Sequence, residues 1–120
     1  MMSRAKIIGT GSFVPQRILS NNELEIIVDT SDKWITRRTG IKERRISSKG
    51  RRETTTDLAA QASSKAMEMA GISAADLDMI IVGTVTPDRQ FPSTGCMVQK
   101  AIGSSHAAAF DISAGCSGFL

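Results

Sequence analysis

The chain has 120 residues, the size of one ordinary domain, with 41% hydrophobic, 22% charged and 4% aromatic residues. That composition is globular and excludes a disordered or fibrous chain. Fifteen basic against twelve acidic residues give +3, too small an excess to imply nucleic-acid binding by itself. No apolar run approaches the length of a membrane span or a secretory signal. Two cysteines twenty apart, Cys96 and Cys116, make no CxxC, zinc quartet or disulfide framework, so no metal is expected and a reducing, cytoplasmic setting is the default.

Residues 5–9 read as a short strand that runs into the turn Gly9-Thr10-Gly11-Ser12. A dinucleotide GxGxxG would need glycine at Val14, and Pro15 opens no helix, so that motif is rejected. Asn21 or Asn22 is the expected cap of a helix through Val28, with Glu23 and Glu25 in its first turn. Ser31 caps the next helix, which carries Asp32 early and Arg37 and Arg38 late, and Gly40 stops it.

Charge is uneven. Residues 1–52 hold twelve basic and five acidic residues, and residues 53–120 hold three and seven. Nine of the basic residues fall within 33–52, of which residues 41–52 read as irregular or hairpin-like. Two readings stay open for them: a solvated face, or a site for a phosphate-bearing ligand or an acidic protein. A nucleic-acid strand fits less well, because Trp34 is the segment's one aromatic residue. One indole with several guanidinium groups suits a single nucleotide, with the ring stacking a base and arginine pairing with phosphate.

Thr54-x-x-Asp57 is a capping box for the longest helix, to about Ala70, with Leu58, Ala62, Ala66 and Met69 as its apolar face and Gly71 as its end. Ser73-x-x-Asp76 opens a short turn. Met79 to Val85 is an unbroken apolar strand, of the kind buried on both faces. Pro87 to Pro92 is a loop, and Ser93 caps a helix through Ile102 that ends at Gly103. Ala107 to Ile112 is a second buried strand, and a glycine-rich turn follows it. Strands alternating with helices predict an α/β layered fold with a mostly parallel sheet. The helix due after the last turn does not follow, so the chain reads as one part of a longer domain.

Ligands of such sheets gather beyond the carboxyl ends of the strands, where Cys116 stands between small neighbours. A helix start there favours a thiolate, and its amides can hold an oxyanion. Position alone leaves Cys116 open between a nucleophile and a small packed residue. Ser117 lacks the second glycine of G-x-S-x-G, since Phe119 stands there. Cys96 reads as packing, His106 as an exposed loop residue, and Asp111 as a structural acceptor that fixes the next turn.

These residues together carry a resemblance. Ile7-Ile8-Gly9-Thr10-Gly11-Ser12 with Pro15, Asp29-Thr30-Ser31-Asp32 with Trp34-Ile35, Arg38-Thr39-Gly40-Ile41 with Glu43-Arg44, Phe91-Pro92-Ser93, and Phe110-Asp111 through Cys116-Ser117-Gly118-Phe119 stand in an order and spacing specific to one family. Over nearly all of 5–120 the chain resembles the N-terminal part of the β-ketoacyl-acyl-carrier-protein synthases III, the initiating condensing enzymes of type II fatty acid synthesis. The resemblance implies a thiolase-like αβαβα fold, usually a homodimer when full length, and Cys116 as the acyl-accepting nucleophile. It implies acetyl-CoA or another short acyl-CoA as substrate, malonyl-acyl-carrier protein as the second substrate, and no bound cofactor. Thr30, Trp34 and Arg38 match positions that contact the CoA nucleotide, Trp34 by stacking on adenine. Phe91 matches a residue that lines the neighbour's acyl pocket across the dimer.

Two departures qualify it. The family's His and Asn, which hold the thioester carbonyl, lie far beyond the nucleophile and have no match here; His106 is not that histidine. Gly115 stands where alanine is more usual. Condensation is therefore not expected of these 120 residues alone, and the isolated piece is expected to be poorly soluble. The alternatives are a related condensing enzyme of polyketide or quinolone-type synthesis, a non-catalytic CoA- or carrier-protein-binding module, and a serine-type acyl hydrolase using Ser117.

Overall fold

The computed structural model describes residues 4–48, 50 and 53–120. They form two compact units, one of the described residues within 14–50 and one of residues 4–13 with 53–120.

In the first unit, β1 (Ile18–Ser20) pairs antiparallel with β2 (Glu43–Arg45), Leu19 opposite Arg44. Between them lie α1 (Asn21–Ile27) and α2 (Asp32–Thr39). The cap of α1 is Ser20, one residue before the expected asparagines: its hydroxyl accepts from the Glu23 amide while the Glu23 carboxylate takes the Ser20 amide at 2.9 Å. A reciprocal serine–glutamate box satisfies two orphan amides, which a lone asparagine cap cannot do. It also frees Asn21 to turn inward. For α2 the reading holds, with Ser31 as cap and Gly40 in a left-handed conformation at the stop. The basic stretch does not fold into a hairpin with itself; its strand β2 pairs back to β1. Lys49, Arg51 and Arg52 lie outside the described residues.

The second unit is built on a βαβ crossover. Here β3 (Met79–Gly83) pairs in parallel with β4 (Ala108–Ile112), Ile81 opposite Phe110, and α4 (Thr94–Ile102) connects them. Helix α4 packs on both strands and on α3 (Thr55–Ala70). Its Val98 is 1% exposed and sits at the centre of the unit's small core with Ala107. The capping box Thr54/Asp57 and the stop at Gly71 form as read from the sequence, and so does the short 3₁₀ turn Ala74–Asp76.

Three expectations are corrected. Residues 5–9 join no strand ladder among the described residues. They run beside α3 instead, where Gly9 and Gly11 leave no room for a Cβ against the backbone of Ala66 and Ala62. Met69 is exposed rather than on the apolar face of α3, and its sulfur takes the Thr10 amide at 3.3 Å. Both apolar strands alternate between half-buried and exposed, with Met79, Ile81, Phe110 and Ile112 on the open face. Within this unit α4 covers one face only, so an unbroken apolar run does not by itself tell how many faces are covered.

Candidate functional site

Helix α2 is amphipathic: Ile35 is buried and Trp34 stands outward, 57% exposed. Arg38, one turn on, places its guanidinium carbon 5.7 Å from the centre of the indole ring, within cation–π range. Ser31, Lys33, Trp34, Arg37 and Arg38 line a cleft of about 360 Å³. Asp29, Thr30, Ser31 and Trp34 line a second hollow of about 440 Å³. Trp34 belongs to both, so the local fold gathers Thr30, Trp34 and Arg38 around one indole. An exposed ring flanked by three cations and two hydroxyls can stack a base and pair with phosphate.

The described basic cluster divides. Arg45 donates to the carbonyls of Pro15 and Gln16, each at 3.3 Å, and Arg44 donates to Leu19 O and to Asn21 Oδ1. Those two guanidinium groups brace β1 and β2, which the solvated-face and ligand readings both miss. Lys33, Arg37 and Arg38 face the cleft.

Cys116 lies in the other unit, in the 3₁₀ turn Gly115–Phe119 just past the carboxyl end of β4. Its thiol is free and exposed, not packed. Gly115 has φ of +53°, so the turn uses the freedom that alanine at this position would lack. Gly118 lies against Gly83 at the end of β3, and a Cβ on Gly83 would come within 2.7 Å of the Gly118 carbonyl oxygen. Two facing glycines thus seat the cysteine turn directly on the strand ends. Ser117 shares the turn, and its amide donates to Ala114 O.

The other candidates take structural places. Asp111 accepts from the amides of Thr94 and Gly95 at 2.8 and 2.7 Å, and so caps α4 rather than the turn after its own strand. The thiol of Cys96 is hydrogen-bonded by Ser93 at 3.2 Å and lies 3.5 Å from Ala109 O, as packing requires. His106 is exposed in its loop. Phe91 is 89% exposed. The segment leading to it is tied to α3, because Asp88 accepts from the amides of Thr55 and Thr56 at 2.8 Å each, and Thr55 Oγ1 donates to Thr86 O. Burial opposes ionisation of Asp88, but hydrogen bonds from Thr56, Thr55 and Thr54 outweigh it and lower its pKa. Sequence reading missed Asp88 and the role of Asn21, because each acts on residues distant along the chain. Among the described residues no cluster suits a metal ion, and no helix is long and apolar enough to cross a membrane.

The chain is 60% identical over 116 residues to the β-ketoacyl-acyl-carrier-protein synthase III of Caldanaerobacter subterraneus. That match covers 97% of this chain and 34% of the relative. The chain is similar to synthases III along nearly its whole length. It spans about a third of the length of the curated relatives it matches. Among solved structures, the 3-oxoacyl-acyl-carrier-protein synthase III of Aquifex aeolicus superposes with a TM-score of 0.90 at 54% identity, over 95% of this chain and 36% of that one. The priming β-ketosynthase of the R1128 polyketide pathway does so at 0.90 and 36%, over 95% and 34%. No protein-family model matches the chain. The fold is α/β, like the matching part of these thiolase-like condensing enzymes.

Proposed function

We propose that this chain is the nucleophile-bearing part of a β-ketoacyl-acyl-carrier-protein synthase III, a cytoplasmic homodimer when complete. The observation that carries this is the exposed Cys116 thiol, seated by Gly83 and Gly118 at the ends of two parallel strands, in a chain 60% identical to an enzyme of that name. In the first half-reaction the Cys116 sulfur attacks the thioester carbonyl of acetyl-CoA or another short acyl-CoA. The tetrahedral adduct collapses, the C–S bond to CoA breaks, and CoA leaves as its thiol after taking a proton. In the second, malonyl-acyl-carrier protein loses CO₂, and its carbanion attacks the Cys116 thioester. Cysteine sulfur leaves and the 3-oxoacyl-carrier protein is formed. Splitting the reaction into a thioester exchange onto Cys116 and a carbon–carbon bond formation that releases it is covalent catalysis, and no bound cofactor takes part.

Thr30, Trp34 and Arg38 hold the nucleotide of CoA in this reading, with Lys33 and Arg37 adding positive charge beside them. Phe91 lines the acyl pocket of the partner subunit. The His and Asn of the family belong to residues outside this chain, so the 120 residues alone are expected to be inactive in condensation. A related polyketide-type condensing enzyme is the second reading, favoured by the equal superposition on the R1128 priming enzyme. Both share the early motifs and differ in the acyl pocket.

The test is the intact mass of the gene's natural product with and without acetyl-CoA. A gain of one acetyl group that maps to Cys116 and vanishes in Cys116→Ala is expected. CoA binding without any adduct supports a non-catalytic binding module instead, and an adduct on Ser117 supports a hydrolase.

A further inference from the structure

Asn21 is 1% exposed, and a buried side-chain amide is costly unless every donor and acceptor is matched. Here they are matched. Its Nδ2 donates to Asp32 Oδ1 at 2.7 Å and to the Ile41 carbonyl at 2.8 Å, with a longer contact to Thr36 Oγ1 at 3.4 Å. Its Oδ1 accepts from Arg44 at 2.7 Å. Arginine can only donate, which fixes the orientation of the amide. The backbone amide of Asn21 donates to Lys42 O. One side chain therefore ties the first residue of α2, the connection leaving α2, and β2.

What hangs from this knot is the Trp34 cleft. Trp34 lies two residues after Asp32 and Arg38 lies six after it, on the same short helix. The indole is mostly outside the packing, so its aim comes from the set of α2. Two groups of α1 reach the start of α2: the Glu25 carboxylate on the Asp32 amide, and Asn21 on the Asp32 carboxylate. Asn21 and Thr36 together engage Asp32 Oδ1, and Thr36 Oγ1 donates to it at 3.1 Å. They tether the one acidic group of α2, on the helix that supplies the cations of the cleft.

We propose that Asn21 is a positioning residue for the Trp34 cleft: through Asp32 it sets the pose of Trp34 and Arg38, and hence the affinity for the nucleotide end of the acyl donor. This rests on the nucleotide reading of the cleft. The experiment compares two donors of the same acetyl group in the full-length enzyme, acetyl-CoA and acetyl-pantetheine, which lacks the nucleotide. Acylation of Cys116 is read for wild type, Asn21→Ala, Thr36→Val and Trp34→Ala. Asn21→Ala is expected to raise KM for acetyl-CoA about tenfold, the equivalent of one lost buried hydrogen bond. Its kcat should stay within about twofold, and its KM for acetyl-pantetheine should not move, because that donor makes no use of the cleft. Thr36→Val, which deletes one donor to Asp32 in an isosteric side chain, is expected to raise KM for acetyl-CoA about threefold. It decides the matter if Asn21→Ala does not fold. A Trp34→Ala enzyme with unchanged KM for acetyl-CoA refutes the nucleotide reading itself. A raised KM in Trp34→Ala with neither Asn21→Ala nor Thr36→Val moving it overturns the role of Asn21 alone. Equal losses with both donors also overturn it, since they mark damage to the unit as a whole.

Discussion

The two glycines under Cys116 make a specific demand on Gly83. A Cβ at that position would sit 2.7 Å from the Gly118 carbonyl oxygen and 3.1 Å from its carbonyl carbon. Ordinary contact starts near 3.4 Å, so Gly83→Ala must push the backbone of the cysteine turn away by about 0.7 Å, backbone being unable to rotate aside as a long side chain does. Overpacking of this kind costs about 1–3 kcal/mol. Its larger effect is on chemistry, because a displacement of about 1 Å at a reacting atom is worth on the order of 100-fold in rate. Gly83→Ala is therefore expected to slow acetylation of Cys116 about 10- to 100-fold, with KM for acetyl-CoA little changed, since the Trp34 cleft belongs to the other unit. Quenched-flow acylation read by intact mass measures the rate, and thermal melting measures the cost to the fold. An acylation rate within twofold of wild type would show that the turn is not seated by this contact.

Asp111→Ala leaves the Thr94 and Gly95 amides, both on buried residues, without their acceptor; a loss of about 3–5 kcal/mol is expected from two charge-assisted bonds at a helix start. Urea unfolding reads it, and a loss under about 1 kcal/mol would contradict the capping role. The acid limb of stability should carry Asp88. Its carboxyl is lowered in the fold, with burial opposing and the hydrogen bonds of residues 54–56 prevailing. Its contribution is therefore complete above the ordinary aspartate value of about 3.9 and is lost as pH falls through the lower folded value. Asp88→Asn should be less stable than wild type near neutrality and should converge with it in acid; melting curves of the two that stay parallel down to about pH 2 would refute this.

Much of the local structure was legible because its causes are local. Ser31, Ser93 and the Thr54/Asp57 pair act on amides three residues away, and Gly40, Gly71 and Gly103 end their helices by their own backbone freedom. The βαβ order and the place of Cys116 past β4 followed from the same signals, and the motif spacing pointed to the family. Other features needed the tertiary structure. Residue type suggests Asn21 or Asn22 as a cap, yet Ser20 caps α1 and Asn21 meets Asp32, Ile41 and Arg44, eleven to twenty-three residues on. For Arg44 and Arg45 the sequence leaves a solvated face and a ligand site open, yet they bind carbonyls of β1 and the segment before it. The apolar runs at 79–85 and 107–112 suggest strands covered on both faces, yet coverage depends on which elements pack there, and α4 packs on one face. A residue's type fixes which bonds it can make with its neighbours in the chain. Which distant partner satisfies it, and which of its faces meets water, is decided only when the chain folds back on itself.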